Sequence, residues 1–240
     1  MSPVTNSMLN ARREKDCTDI TTERKYFHID GSFVKRSLRP HEWQHSPFRG
    51  SLCIPRLGNE RLLNEAATLR FITKNTDIPV PKLRACFEDD GAVYLITEYI
   101  DGVPMADLEP EERKTVEAEL EVYIATLRSL QSNVWGGPSG LVIPPYRLIK
   151  HPVRVKWAMK PREVKDLVFC HNDLSAHNVI VNPETLKVKA IIDWEYAGFF
   201  PEEFEGMFFR RPGPSIALDG EVNDEEQLLK IMYENEQDKQ

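Results

Sequence analysis

The residues of this chain that are best suited to catalysis lie in two neighbouring segments. Residues 169–178 read FCHNDLSAHN, so that a His-x-Asp triplet is followed, five residues after the aspartate, by an asparagine. A second segment, IIDWE, ends an apolar run in Asp193. This order lets one carboxylate serve an acceptor hydroxyl while an amide and another carboxylate hold magnesium beside the phosphates of a nucleotide. The two segments together predict phosphoryl transfer.

Each residue of these segments has a distinct expected role. Asp173 is the candidate to accept or orient the proton of the acceptor hydroxyl, and Asn178 and Asp193 offer the hard oxygen ligands that Mg²⁺ prefers. We expect His171 to brace the loop by hydrogen bonding. The alternative is that Asp173 and Asn178 only cap a turn and that Asp193 only ends a strand, which explains each residue but not their shared order.

Composition and charge limit the classes of protein to consider. The chain has 240 residues, 41% of them hydrophobic and 29% charged, enough for one large domain or two small lobes. Its net charge of −7 argues against general nucleic-acid binding, which needs a basic surface. The four cysteines are scattered without a C-x-x-C pair, so we expect a reduced, cytoplasmic protein. No secretory signal or membrane span is evident, and the oligomeric state is left open.

The elements that must position the catalytic residues begin with a strand-rich part. We expect residues 1–20 to be flexible. After them the patterns predict a hairpin around the Asp30-Gly31 turn, a helix at residues 59–74, and two strands at residues 83–88 and 92–100. Residues 21–100 would therefore form a small lobe that combines an antiparallel sheet with one helix.

The second part begins at a linker, Asp101-Gly102. A helix is predicted at about residues 111–132, and a second hairpin at residues 179–192 carries Asn178 at its entrance and Asp193 at its exit. Residues 101–217 would form a mainly helical C-terminal lobe, and residues 218–240 an acidic tail with at most a short surface helix. The sequence thus predicts an α+β fold of two lobes with a ligand cleft between them.

The same segments carry a resemblance to a known family. The FCHNDL run and the IDWEYAG run of residues 192–198 resemble the aminoglycoside phosphotransferase and choline kinase superfamily, whose members have the protein-kinase-like fold. The pattern is most similar to the phosphotransferase-domain proteins common in fungi and covers about residues 25–210. The resemblance implies a catalytic Asp173, a magnesium site at Asn178 and Asp193, and ATP or GTP as the phosphoryl donor.

Further nucleotide contacts follow from the resemblance alone. It implies that the adenine is held by the backbone of the linker, at Glu98, Tyr99 and Ile100. It also implies a strand lysine on the phosphates, paired with a helix glutamate. Lys35 is the best lysine, and Glu65 matches the helix position with Glu60 as its rival. No glycine-rich phosphate loop precedes Lys35, and only forty-seven residues follow Asp193, a short length for an acceptor pocket.

A rival metal motif stands at residues 41–45, which read HEWQH. On a helix this spacing would place His41 and His45 on one face for zinc, with Glu42 as general base. Pro40 and Pro47 leave barely one turn of helix between them, which favours an exposed polar loop over a zinc hydrolase.

An aromatic group near the end of the chain bears on the acceptor. Phe200, Phe204 and Phe208 recur every four residues, so they could bind a cationic acceptor such as choline by cation–π attraction. The spacing favours instead a helical stripe that packs the core. Our leading hypothesis is an ATP-dependent small-molecule kinase that acts on a hydroxyl, with choline or ethanolamine as rival acceptors and a catalytically weak nucleotide-binding module as the other alternative.

Overall fold

The first lobe is a five-stranded antiparallel sheet with one helix packed against it. The computed structural model describes residues 14–46, 50–149 and 157–237 of the chain. The elements of this lobe are β1 (Cys17–Ile20), β2 (Arg24–Ile29), β3 (Ser32–Ser37), β4 (Gln44–His45), β5 (Leu52–Cys53), α1 (Gly58–Asn75), β6 (Leu83–Asp89) and β7 (Ala92–Glu98). The strand order is β1-β2-β3-β7-β6, while β4 and β5 pair separately.

The predicted first hairpin is confirmed, because β2 and β3 pair in register across a two-residue turn. Asp30 and Gly31 in this turn have φ angles of 46° and 67°, the left-handed backbone that such a tight turn requires. Phe27 and Val34 face one side of the sheet, where they pack with Cys17 in a small apolar cluster. The alternate residues of the two strands face the cleft.

The predicted helix of the first lobe is confirmed as α1, one residue longer at each end. The apolar face expected for it is buried, and Leu62 and Ala66 pack against Val93 and Leu95 of the sheet. The helix therefore lies against the sheet face that carries the cleft-facing residues, and it presents its polar positions towards the second lobe.

The second lobe holds two substantial helices within the described ranges, and the rest is short strands and turns. Its elements are β8 (Val103–Pro104), α2 (Pro110–Ser129), β9 (Gln131–Ser132), α3 (Tyr146–Ile149), β10 (Leu167–Cys170), β11 (Val179–Val181), β12 (Val188–Ile191), β13 (Gly198–Phe200) and α4 (Glu225–Glu234). Short 3-10 helices link them. The strands form two three-stranded sheets, β13-β10-β9 and β12-β11-β8.

Helix α2 forms much of the core of the second lobe. Pro110 opens the helix, and the Glu112 side chain accepts a hydrogen bond of 3.0 Å from the backbone N–H of Glu109, so the first turn is capped. Val116 and Leu120 are fully buried and belong to the same apolar cluster as Val179 and Val181 of β11. The helix predicted at residues 111–132 is thus confirmed, although its last residues continue as the short strand β9.

The linker between the lobes passes unusually close to β11. A Cβ atom on Gly102 would lie 2.6 Å from the carbonyl oxygen of Val181, a distance that no side chain tolerates. The linker leads directly into β8, which pairs with β11. The connection between the lobes is therefore packed on the strand that follows the loop of residues 171–178.

Both chain ends differ from the sequence-based expectation. Residues 17–20 form β1 and pair with β2, so the sheet begins before residue 21; residues 1–13 lie outside the described range. The tail is not a surface appendage, because Leu228 and Met232 of α4 are buried against Trp135 and Phe204. Both segments depend on distant partners that local sequence does not reveal. No helix in the described part of the chain is long and apolar enough to cross a bilayer.

Candidate active site

The loop that follows β10 brings the first group of predicted residues together. The side-chain amide of Asn178 donates a hydrogen bond of 2.8 Å to the backbone carbonyl of Asp173. The Asn172 backbone is left-handed, with φ of 66°, and its side chain donates to the Tyr196 carbonyl at 3.0 Å. These bonds fold the loop back on itself and hold Asp173 and Asn178 close together.

His171 joins this loop to the strand that precedes Asp193. The residue is fully buried, and its Nε2 lies 2.9 Å from the carbonyl oxygen of Ile192. The backbone N–H of Asp173 donates to Nδ1 of His171 at 3.3 Å. Burial lowers the pKa of His171 to about 4, so at neutral pH a neutral imidazole donates from Nε2 and accepts at Nδ1. These bonds fit the bracing role expected for His171.

Asp173 is half-buried at the mouth of the loop. Burial and the nearby Asp193 carboxylate raise the pKa of Asp173 well above its usual value. A carboxylate whose pKa is raised is a stronger base than an ordinary surface aspartate. The geometry and the electrostatics therefore suit Asp173 for receiving a proton from a hydroxyl.

Asp193, two residues after the end of β12, has a left-handed conformation with φ of 64° and precedes the 3-10 helix Trp194–Tyr196. Its carboxylate forms an ion pair with Lys35 of β3 and keeps a side-chain exposure of 35%. Burial raises the pKa of Asp193, but Lys35 outweighs this effect, so the pKa lies below its usual value. The residue is thus an anionic oxygen donor at the floor of the cleft.

Lys35 lies at the meeting point of three separate segments. Its Nζ lies 2.7 Å from Oε1 and 2.9 Å from Oε2 of Glu65 in α1, and it also contacts Asp193. Burial lowers the pKa of Lys35, but Asp193 and Glu65 raise it by more, so the ammonium stays charged. Burial raises the pKa of Glu65 to about 7. The pairing singles out Glu65 over its rival, Glu60.

Beside Lys35 a cavity of about 240 Å³ opens under the linker. Phe33 of β3 forms part of one wall and Ile180 and Ile192 part of the other, an apolar slot of the kind that accepts a planar ring. The predicted linker residues Glu98, Tyr99 and Ile100 line its edge.

The three linker residues are not equivalent as hydrogen-bond donors. The backbone N–H of Glu98 donates to the Lys82 carbonyl and that of Tyr99 to the Gly31 carbonyl, both at 2.9 Å. Within the described residues, the N–H of Ile100 has no such partner. Ile100 is therefore the linker donor that remains available to a ligand.

The site also contains an ion-pair group that the sequence did not single out. Glu195, two residues after Asp193, forms buried ion pairs with Arg24 of β2 and, at 3.4 Å, with Arg61 of α1. Burial raises the pKa of Glu195, but Arg24 and Arg61 hold it below its usual value. The signal was present in the alternation of β2, since Arg24 occupies the same sheet face as Lys35.

Two further residues of the site were not singled out from the sequence. Asn64 of α1 donates to the backbone carbonyls of Glu195 at 3.0 Å and Ala197 at 2.9 Å, and accepts from Ser139 at 2.6 Å. Glu205 accepts a hydrogen bond from the loop backbone. Asn64 lies in an apolar stretch and Glu205 in an acidic one, and neither pattern reveals burial until the partners are known.

The oxygen donors fit a magnesium ion. The Asn178 amide nitrogen is used within the loop, so its Oδ1 could serve as one ligand and the Asp193 carboxylate as another. Mg²⁺ typically takes one or two protein oxygens and completes its shell with phosphates and water. Among the described residues, no group of three or more His, Cys, Asp or Glu side chains could hold a metal by itself.

The zinc alternative loses its geometric basis. His41 lies in the 3-10 helix Pro40–Glu42 and His45 in β4, so the two imidazoles do not share a helix face. Glu42 is engaged by Arg36 at 2.6 Å and Lys25 at 2.7 Å, and these contacts lower its pKa despite its partial burial. Glu42 therefore connects the 3-10 helix to strands β2 and β3 within the first lobe.

The aromatic group after Asp193 packs the core, as favoured, but without forming a helix. Phe200 and Phe204 are fully buried and pack edge-on against Trp135. Pro201 and Gly206 interrupt the segment, which forms β13 and two 3-10 helices. The half-buried Phe208 lies under the guanidinium groups of Arg147 and Arg211.

The fold and this cleft define a class, the protein-kinase-like phosphotransferases. The sequence profile of the Phosphotransferase enzyme family matches residues 25–205, and the chain belongs to this family. The family resemblance and the α+β two-lobed fold predicted from the sequence are both confirmed.

Individual relatives are more distant. Aminoglycoside 3'-phosphotransferase of Streptomyces fradiae is 29% identical over 157 residues, which are 55% of this chain and 57% of that protein. Streptomycin 3''-kinase of Streptomyces griseus is 24% identical over 171 residues, 60% of this chain and 62% of that protein. The chain spans about three fifths of the length of these curated relatives.

Solved structures of the same fold are similar to this chain. Aminoglycoside phosphotransferase APH(4)-Ia gives a TM-score of 0.51 at 14% identity, and the match covers 79% of this chain and 68% of that structure's chain. Aminoglycoside-3'-phosphotransferase of type VIII gives a TM-score of 0.50 at 19% identity, with 82% and 78% covered. At these identities the likeness is one of fold.

Proposed function

We propose that this chain transfers the γ-phosphoryl group of a nucleoside triphosphate, ATP or GTP, to a hydroxyl of a small polar molecule such as an aminoglycoside. The observation that carries the proposal is the contact of Lys35 with both Glu65 and Asp193. It joins a strand and a helix of the first lobe to the acidic motif of the second. Such a cation, held charged at the edge of a nucleotide-sized slot, suits the binding of phosphates.

The nucleotide would lie along the underside of the sheet. Its base would enter the slot between Phe33 and Ile180 and accept a hydrogen bond from the N–H of Ile100. Its phosphates would then reach Lys35 at the other end of the cleft. Lys35 would exchange its contact with Asp193 for the phosphates, while Glu65 continues to hold the ammonium in position.

Asn178 and Asp193 would hold magnesium through their oxygen atoms. When bound, the ion supplies positive charge that neutralises the phosphate oxygens. Asp173 would orient the acceptor hydroxyl and take its proton, and His171 would keep the loop aligned through its two hydrogen bonds.

The acceptor class rests on the family and on the names of the relatives, an aminoglycoside 3'-phosphotransferase and a streptomycin 3''-kinase. Choline and ethanolamine are weaker candidates, because Phe200 and Phe204, the aromatic residues that suggested them, are buried in the core.

The first test is magnesium-dependent binding of ATP and GTP by titration calorimetry, with wild type, Asp193→Ala and the exposed control Asp219→Ala. We expect wild type and the control to bind a nucleotide only with magnesium, and Asp193→Ala to lose this binding. A screen of ADP release with streptomycin, kanamycin, choline and ethanolamine then identifies the acceptor. Binding without turnover by any acceptor would favour the nucleotide-binding module, and a folded wild type that binds neither nucleotide would refute the proposal.

A further inference from the structure

The turn that precedes β2 occupies the place of a loop that would cover the phosphates. Its backbone N–H groups, however, already donate hydrogen bonds within the turn. The Thr21 hydroxyl accepts hydrogen bonds from the N–H groups of Glu23 at 3.2 Å and Arg24 at 3.1 Å. The Thr21 N–H itself donates to the Arg24 carbonyl at 2.8 Å. A turn closed on its own side chain cannot offer these N–H groups to phosphate, so any cover from this strand must come from a side chain.

Arg24 is the side chain in the right place. In the β2–β3 hairpin, Arg24 is paired with Ser37 and Tyr26 with Lys35. Paired residues of antiparallel strands point to the same sheet face, so Arg24, Tyr26 and Lys35 form one row over the cleft.

The length of β2 matches the length of a nucleotide. At its far end, on the same face, the ring of His28 stacks on that of Tyr99 in the linker with centroids 3.9 Å apart, beside the base slot. Arg24 is four residues away, about 13 Å along an extended strand. The strand therefore runs from the base end of the cleft to the phosphate end.

Arg24 retains an unused donor in spite of its burial. Only 2% of the residue is exposed, its terminal nitrogen pairs with Glu195, and its Nε has no hydrogen-bond partner among the described residues. A buried guanidinium nitrogen without a partner is unfavourable, and a phosphate oxygen would satisfy it.

Arg24 can also leave Glu195 without stranding a buried charge. Arg61 already lies 3.4 Å from the other oxygen of Glu195, and it is fixed in place by Glu23 at 2.6 Å and by the Tyr196 hydroxyl. Glu195 would thus keep one cation whenever Arg24 turns towards a ligand. Arg61 is therefore the permanent ion-pair partner of Glu195, whereas Arg24 can exchange Glu195 for a ligand.

We propose that Arg24 binds the terminal phosphate of the nucleoside triphosphate, in the place of a glycine-rich loop, and that Glu195 holds its guanidinium ready when no nucleotide is present. This assignment rests on the proposed phosphotransferase function. It makes Arg24 the residue that distinguishes a triphosphate from a diphosphate.

The test compares the affinities for Mg-ATP and Mg-ADP by calorimetry in wild type, Arg24→Gln, Arg24→Lys and Arg61→Gln. We expect wild type to prefer ATP. Arg24→Gln should lower ATP affinity about tenfold or more, the size of a charge-assisted hydrogen bond, with less than about a twofold change for ADP. Arg24→Lys should give an intermediate loss. Arg61→Gln breaks the same ion-pair group, so it should lower thermal stability and leave the ratio of the two affinities unchanged.

Each other outcome overturns the assignment. A wild type that binds ADP as tightly as ATP has no ligand for the terminal phosphate. Equal losses of ATP and ADP affinity in the Arg24 variants would leave Arg24 with only a structural role. If wild type binds Mg-nucleotide but the Arg24 variants keep the preference of wild type for ATP over ADP, Arg24 is excluded as the ligand of the terminal phosphate. The proposed function then stands. If wild type binds no nucleotide, both proposals fail.

Discussion

Glu205 accepts a hydrogen bond from the backbone N–H of His171, a residue thirty-four positions earlier in the chain. Its carboxylate is buried beneath the catalytic loop, close to the guanidinium of Arg147, and burial raises its pKa to about 7. The loop that carries Asp173 is therefore hydrogen-bonded to a buried titratable group.

Replacing this group should change how stability depends on pH. Because the pKa of Glu205 is higher in the folded state than its ordinary value near 4.5, its contribution to stability is present at low pH and is lost as the pH rises through about 7. Glu205→Gln lacks this contribution. As the pH rises from 4.5 to about 7, the free energy of unfolding of Glu205→Gln should therefore increase relative to that of wild type, by up to about 1.4 kcal/mol per pH unit. Urea unfolding across that range measures the difference, with the exposed Glu203→Gln as the matched control. Parallel pH profiles for Glu205→Gln and wild type would contradict the assignment.

Asp173→Asn should separate binding from chemistry. The amide keeps the size and polarity of the carboxylate but cannot accept a proton, so we expect unchanged Mg-nucleotide affinity and a loss of turnover of about 10²- to 10⁴-fold. Single-turnover phosphoryl transfer to the acceptor found in the screen measures this. An equal loss of affinity would mean that Asp173 acts on the nucleotide and not on the acceptor.

Lys35→Met should weaken nucleotide binding about tenfold or more, since it removes the cation expected to meet the phosphates. It should also make the protein less stable as the pH rises, because Glu65 and Asp193 then lose their shared counter-charge. Lys25→Met is a demanding control. Lys25 is equally buried and is paired with Glu42 at 2.7 Å, but on the opposite face of the sheet. If both variants lose nucleotide affinity to the same degree, general destabilisation explains the result.

Asp193 combines a chemical role with a conformational one, and two substitutions separate them. Asp193→Gly and Asp193→Ala should both abolish magnesium-dependent nucleotide binding, as chelation should in wild type. At a φ of 64°, alanine carries a steric cost of about 1 kcal/mol that glycine avoids. Asp193→Gly should therefore be the more stable of the two in thermal unfolding. Retained magnesium dependence in either variant would exclude Asp193 as the ligand.

Local sequence signals were enough for the elements that depend on short-range order. Neighbouring residues determine the Asp30-Gly31 turn, the apolar face of α1 and the face of α2 around Leu120. Each of these features formed as predicted. The order of the acidic motifs placed Asp173 and Asn178 in one loop, as observed, and the catalytic role of that loop stays a prediction.

Features that depend on distant partners could not be predicted in this way. The burial of α4 depends on Trp135, and the assignment of Arg24 to the cleft depends on the register with β3. The spacing of Phe200 and Phe204 suggested a helix that Pro201 does not allow. Single-sequence periodicity does not report which polar side chains will face one another across a fold.

The bonds of Asn64 to the segment after Asp193 have a consequence for control of the protein. They join α1 to the second lobe, and the neighbouring Glu65 is in contact with Lys35. The proposed phosphoryl transfer should therefore need no modification that moves α1 towards Lys35. Progress curves should start without a lag, and cellular output should follow the amount of protein and the supply of its substrates.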